Sequence, residues 1–176
     1  MSLLILLAAA AFQSGPPILD PVKAASAKAF MKAVDGRWAC SGAFANGKPL
    51  AADLSLTKAE DGLGLHYVHK DRLPSTYSQE AQWGIDTPTG KMVSLAFASF
   101  GATPTPSANL YVADSWTSSS VTLVHQKLLE EPFAPNRFTY SIEGGKLKML
   151  WEVARKPGEW RMGDYLNCER AKTARP

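Results

Sequence analysis

The chain has 176 residues, of which 45% are hydrophobic and 20% charged, and its formal net charge is +3. These values argue against wholesale disorder and are typical of one globular domain that buries its own core. The Lys and Arg residues are scattered without a run of five, so the sequence lacks a nucleic-acid-binding signature and no nucleic-acid partner is expected.

The N-terminal residues contain an apolar run of about ten residues, which is shorter than the roughly 20 that a membrane-spanning helix needs. This length is typical of a signal-peptide core, and Ala9 to Ala11 offers a small-residue cleavage site. No Lys or Arg precedes the run, so a buried N-terminal segment stays the alternative. We expect residues 1–16 to be a signal peptide and flexible leader, and residues 17–176 to be one periplasmic or secreted domain without an integral membrane segment.

One short amphipathic helix is predicted next. Asp20-Pro21 is typical of a helix start, with Asp as the N-cap and Pro in the first turn. Four apolar residues then recur at helical spacing, namely Ala27, Phe30, Met31 and Val34. The helix is predicted to end at Asp35-Gly36, because Gly adopts the left-handed cap conformation readily.

After residue 36 the apolar period changes from 3.6 to 2, and turn-forming residues recur at intervals of roughly 8–12 residues. Asn46-Gly47 and Gly144-Gly145 are two of the turn signals. The pattern predicts strands over residues 37–45, 50–58, 63–70, 77–85, 91–100, 108–116, 119–128, 137–143, 146–154 and 160–170. The predicted fold class is all-β: an antiparallel up-and-down β-barrel of about ten strands after one short N-terminal α-helix, since closure leaves no strand edge exposed.

The two cysteines lie in the first and last predicted strands, as Cys40 and Cys168. A pair of cysteines in an exported protein is typical of a disulfide. If they face each other across an antiparallel pair, paired residue numbers sum to 208, which places Trp38 opposite Arg170 with its cation over the indole ring. Strict alternation then predicts that the even-numbered residues from 160 to 170 share one face of the last strand.

These features resemble the lipocalin and calycin barrels. The resemblance rests on the short helix, on Gly36-x-Trp38 at the start of the first strand, and on Arg170 in the last strand. About ten strands is more similar to the fatty-acid-binding and nitrobindin-like members, and to a group of secreted bacterial proteins of unknown function, than to eight-stranded lipocalins. The resemblance implies a single calycin-like barrel over residues 17–176 whose base is closed by Gly36, Trp38 and Arg170. The last strand lacks the His of haem-binding members, and no cofactor is expected.

No motif in the sequence indicates a catalytic residue or a metal site. His66 and His69 are predicted to lie on a strand, where residues three apart point to opposite faces, so joint metal ligation is not expected. His69 and Asp71 share a face only if that strand continues. Three further acids lie on predicted strands: Glu80, Asp114 and Asp164. They are expected to face solvent or form local ion pairs, although a buried one would point to a functional site.

Bulky aromatic residues along the predicted strands are expected to face the interior and contact a ligand there: Trp83, Phe97, Tyr111, Phe138, Tyr140 and Trp151. The interior of such a barrel has room for a small ligand as well as side chains. With the resemblance, this implies a non-catalytic barrel that binds a small hydrophobic or amphipathic molecule in a cavity of about 300 Å³ or more. Two alternatives stay open. One is a side-chain-filled barrel that binds other proteins in the cell envelope. The other is a calycin-type enzyme, which requires a buried His, Asp or Glu beside a second polar group.

Overall fold

The computed structural model describes residues 21–59, 64–86, 89–99, 107–126 and 134–172. The predicted signal peptide and leader, and the N-cap Asp20, lie outside these residues. One helix and ten strands follow each other in the chain: α1 (Pro21–Val34), β1 (Gly36–Phe44), β2 (Pro49–Lys58), β3 (Leu65–Asp71), β4 (Ser78–Asp86), β5 (Lys91–Ser99), β6 (Ser107–Trp116), β7 (Ser120–Gln126), β8 (Asn136–Glu143), β9 (Lys146–Lys156) and β10 (Glu159–Arg170). Within the described part of the chain, no helix is long and apolar enough to cross a membrane.

The ten strands form one closed antiparallel barrel in up-and-down order, with β10 pairing back to β1. The predicted fold class is confirmed. The β1–β10 register places Trp38 opposite Arg170 and Cys40 opposite Cys168, as the predicted numbering requires. A disulfide joins Cys40 to Cys168, so the first and last strands are linked covalently as well as by their backbone hydrogen bonds.

Helix α1 packs against the barrel end where β1 begins and β10 finishes. Its four predicted apolar positions are all buried, and they belong to the same hydrophobic core as Trp38. Trp38 Nε1 donates a 2.9 Å hydrogen bond to the carbonyl oxygen of Val34. The Arg170 guanidinium lies 4.0 Å from the centre of the Trp38 ring and donates a 2.9 Å hydrogen bond to the Ala33 carbonyl. The cation therefore satisfies carbonyls at the C-terminal end of the helix, where positive charge is favourable.

Gly36 joins α1 to β1 in a conformation that side chains rarely adopt, with φ at +131°. A Cβ atom at this position would lie 2.1 Å from Arg170 Nη1. Glycine is therefore required both by the backbone angle and by the close approach of the arginine.

A bulge at Gly163 interrupts the alternation of β10, because Met162 and Asp164 pair with consecutive residues of β9. Beyond the bulge, Met162 is 43% exposed and Trp160 stacks with an outer-face arginine. The expectation that all even-numbered residues from 160 to 170 share one face is therefore wrong for Trp160 and Met162, because one extra residue reverses the phase. A Cβ on Gly163 would lie 2.2 Å from the Trp151 ring, so glycine also makes room for that ring.

Candidate functional site

A cavity of about 280 Å³ occupies the half of the barrel farther from α1. Nearer to α1 the interior is filled by three large rings, Tyr67, Trp83 and Tyr140. Their centroids lie 5.3 Å apart for Tyr67 and Trp83, 4.9 Å for Trp83 and Tyr140, and 5.9 Å for Tyr67 and Tyr140. This cluster forms a solid core between the helix and the cavity.

The cavity wall is mostly apolar, because the inward-facing positions of six strands carry aliphatic or aromatic side chains. These residues are Phe44, Leu50, Ala98, Tyr111, Phe138, Met149, Trp151 and Val153. Phe138 and Trp151 lie nearly parallel, with ring centroids 6.4 Å apart. Two polar groups of the aromatic wall are satisfied within it, since Tyr111 OH donates to Asn136 Oδ1 at 3.2 Å and Trp151 Nε1 donates to the same oxygen at 3.4 Å.

The structure divides the six predicted aromatic contacts into three groups. Tyr111, Phe138 and Trp151 line the cavity. Trp83 and Tyr140 face the interior but lie in the solid core on the α1 side of the cavity. The sixth, Phe97, is on the outside.

The expectation that Phe97 faces the interior is wrong, because its side chain is 55% exposed on the outer face of β5. Strand β5 carries apolar residues on both faces, so its alternation does not reveal which face is inward. The small residues Ala96 and Ala98 face the interior, whereas Leu95 and Phe97 face outward. The limited space inside the barrel accommodates the smaller side chains, Ala96 and Ala98.

A network of hydrogen bonds runs from the solid core to the cavity wall. Strand β3 continues to Asp71, so His69 and Asp71 share the inner face, and His69 Nε2 lies 2.8 Å from Asp71 Oδ1. Tyr140 OH donates to Tyr67 OH at 3.2 Å, and Tyr67 OH lies 3.1 Å from His69 Nδ1. Because Tyr140 donates to Tyr67, the Tyr67 hydrogen points to Nδ1, and the ring hydrogen of His69 is on Nε2, facing Asp71. Ser75 donates to the second oxygen of Asp71.

The two tyrosines of this hydrogen-bond network, Tyr67 and Tyr140, stay protonated. Burial is the largest cause that raises the pKa of Tyr67 and the pKa of Tyr140 above the ordinary value of about 10. Both ring nitrogens of His69 are bound within the protein, so neither is free to act on a ligand. The hydrogen-bond network therefore holds the Asp71 side chain in place at the cavity wall.

Asp164 also lines the cavity, and the expectation that it faces solvent or an ion-pair partner is wrong. Its Oδ1 atom is shielded from solvent and has no hydrogen-bond partner. Burial, with a smaller contribution from the negative charge of Asp71, raises the pKa of Asp164 from 3.8 to about 7. The sequence did contain a signal, because Asp164 has the same parity as Cys168 on β10 and so shares its inward face.

The described residues contain no group of three or more His, Cys, Asp or Glu side chains that could hold a metal ion. His66 and His69 occupy opposite faces of β3, as their strand spacing predicted, with His69 buried and His66 partly exposed. No protein-family model and no curated protein sequence matches this chain. The described residues of the cavity combine a mostly apolar wall surface with two carboxyl groups and several hydroxyl and amide groups.

Proposed function

We propose that the protein is a calycin-like, non-catalytic barrel that binds a small amphipathic molecule in the cavity remote from α1. The observation that carries the proposal is the cavity of about 280 Å³, whose wall surface is mostly apolar with polar side chains set among it. Small-molecule sites in proteins have this composition: apolar surface contributes binding energy and a few polar groups orient the ligand. A barrel filled by its own side chains is less well supported, because a cavity of about 280 Å³ stays open inside it.

The proposed place of action is the periplasm or the outside of the cell. The Cys40–Cys168 disulfide supports this, because such bonds persist in oxidising compartments. The signal-like apolar run at the N-terminus supports the same location.

A fluorescent apolar probe tests the binding proposal directly. We expect N-phenyl-1-naphthylamine, which is uncharged, to bind the wild-type protein at one saturable site with a rise in fluorescence. Ala98→Phe places a ring in the cavity and should weaken probe binding at least about tenfold, since it removes the space and the apolar contact area.

Phe97→Ala is the matched control, because Phe97 is the neighbouring residue on β5 but faces outward. It should bind the probe as the wild type does. Absence of saturable binding by the wild type, or equal binding by Ala98→Phe with its fold intact, would contradict the proposal.

A second candidate is an enzyme that uses Asp164 for proton transfer. The observation that favours it is that burial raises the pKa of Asp164 to about 7, where a carboxyl group both gives and accepts protons at neutral pH. Hydrolysis of p-nitrophenyl esters and glycosides by the wild type and Asp164→Asn tests this candidate. A catalytic role predicts a rate above background that falls at least about a hundredfold in the variant. Equal rates for the two proteins would exclude it for these substrates.

A further inference from the structure

The cavity has an unbalanced charge. Among the residues that the structure describes, two acids line it, Asp71 and Asp164, and no Lys or Arg does. The basic side chain among these described residues, His69, has both ring nitrogens bound to Asp71 and Tyr67. The low-dielectric wall of a cavity focuses the field of charged groups that line it.

The two acids differ in how the protein satisfies them. Asp71 accepts a hydrogen bond on each carboxyl oxygen, from His69 and from Ser75, which is the pattern of a held carboxylate. Asp164 has no such support, and its buried Oδ1 atom is left without a donor. A buried acceptor without a partner is costly, and Asp164 lines the cavity, so a donor that a ligand brings to this carboxyl group is favoured there.

We infer that the ligand carries a positively charged amine, which binds the carboxyl group of Asp164 beside Asp71 while the apolar body of the ligand lies against Phe138 and Trp151. The inference rests on the proposed binding function and names its ligand class. An ammonium group is a compact cation with three donors, so it suits two acids that share one space. An anionic ligand is disfavoured by the same two acids.

Three ligands with the same phenyl ring separate the possibilities: 2-phenylethylamine, 2-phenylethanol and 3-phenylpropionate. Each is titrated at pH 8 against wild-type protein loaded with N-phenyl-1-naphthylamine, and displacement of the probe is measured. We expect the amine to displace the probe at a concentration about tenfold lower than the alcohol, and the anion to be weaker than the alcohol.

Variants at position 164 assign the effect to one side chain. Asp164→Asn removes the charge with little change of shape, and should bring the amine and the alcohol within about twofold of each other. Asp164→Glu keeps the charge and should retain the preference for the amine. Asp114→Asn, which removes an exposed acid on β6, is the matched control and should behave as the wild type does.

The outcomes distinguish this inference from the proposed function. If the probe binds but the amine and alcohol are equal, the inference is overturned and the binding function stands. If Asp164→Asn keeps its preference for the amine, the assignment to Asp164 is overturned. If neither the probe nor any of the three ligands binds the wild type, the proposed function itself fails.

Discussion

At the scale of single residues, Asp164 is the side chain whose position is hardest to explain by stability alone. It is an acid in a mostly apolar cavity, and burial raises its pKa from 3.8 to about 7. Between these values the folded protein binds a proton that the unfolded chain releases. The contribution of Asp164 to stability is therefore most favourable at low pH and is lost as the pH rises through about 7. A residue that weakens the fold at neutral pH is typical of a site retained for binding or chemistry.

Replacing this acid should remove the pH dependence that it causes. Each unit of pKa difference corresponds to about 1.4 kcal/mol, so the stability of Asp164→Asn relative to wild type should rise by about 2–4 kcal/mol between pH 4 and pH 8. Urea unfolding at both pH values measures this difference, and Asp114→Asn serves as the control for general loss of a negative charge. If the free energy of unfolding changed with pH by the same amount in Asp164→Asn and the wild type, burial would not raise the pKa of Asp164.

At the scale of elements, the junction of α1, β1 and β10 depends on one arginine. Arg170 stacks on Trp38 and donates to the Ala33 carbonyl at the end of the helix. The variant Arg170→Met keeps much of the side-chain length but loses the cation and its donors. We expect the free energy of unfolding to fall by about 1–3 kcal/mol, measured by urea unfolding at pH 7.

The control for this variant is Arg161→Met, on the same strand. Arg161 pairs with the exposed Glu159 at 2.8 Å, and surface ion pairs contribute about 0–1 kcal/mol. Equal losses from Arg161→Met and Arg170→Met would mean that the stacked arginine does not hold the helix to the barrel.

The strands themselves were predictable, but the direction of their faces was only partly so. Turn residues at regular spacing placed all ten strands, with limits no more than two residues from the observed ones. The face of β5 was not predictable from alternation, because Phe97 and Ala98 are both apolar and only the space inside the barrel decides between them. The reversal at Gly163 was missed, because strict alternation was assumed, although a glycine inside a strand often marks a bulge.

At the scale of the whole molecule, the strand pattern predicted closure, and the pairing of Cys40 in the first strand with Cys168 in the last predicted the register between them. The cavity was not predictable in the same way, because it depends on how Tyr67, Trp83 and Tyr140 pack together and how much space they leave. His69 contacts Asp71 because β3 extends to Asp71. Periodicity predicts the end of a strand only to within a residue or two, so this contact could not be predicted from the sequence. The sequence alone therefore predicted the barrel and some of the residues in its wall, but not which polar groups meet inside it.

The disulfide is the feature whose effect belongs to the molecule as a whole. It joins residues 128 positions apart, so it closes a loop that includes most of the barrel. Chain entropy predicts that removing such a link lowers the free energy of unfolding by roughly 4–5 kcal/mol, because the unfolded chain regains its freedom. The double variant Cys40→Ala and Cys168→Ala should therefore unfold at a lower urea concentration than the oxidised wild type. The double variant also loses two buried sulfur atoms and the contacts that they make. Reduced wild-type protein is therefore the control, because it keeps both sulfur atoms and lacks the disulfide. If the reduced wild type unfolds at the same urea concentration as the oxidised protein, then the hydrogen-bonded β1–β10 pair closes the barrel without help from the covalent link.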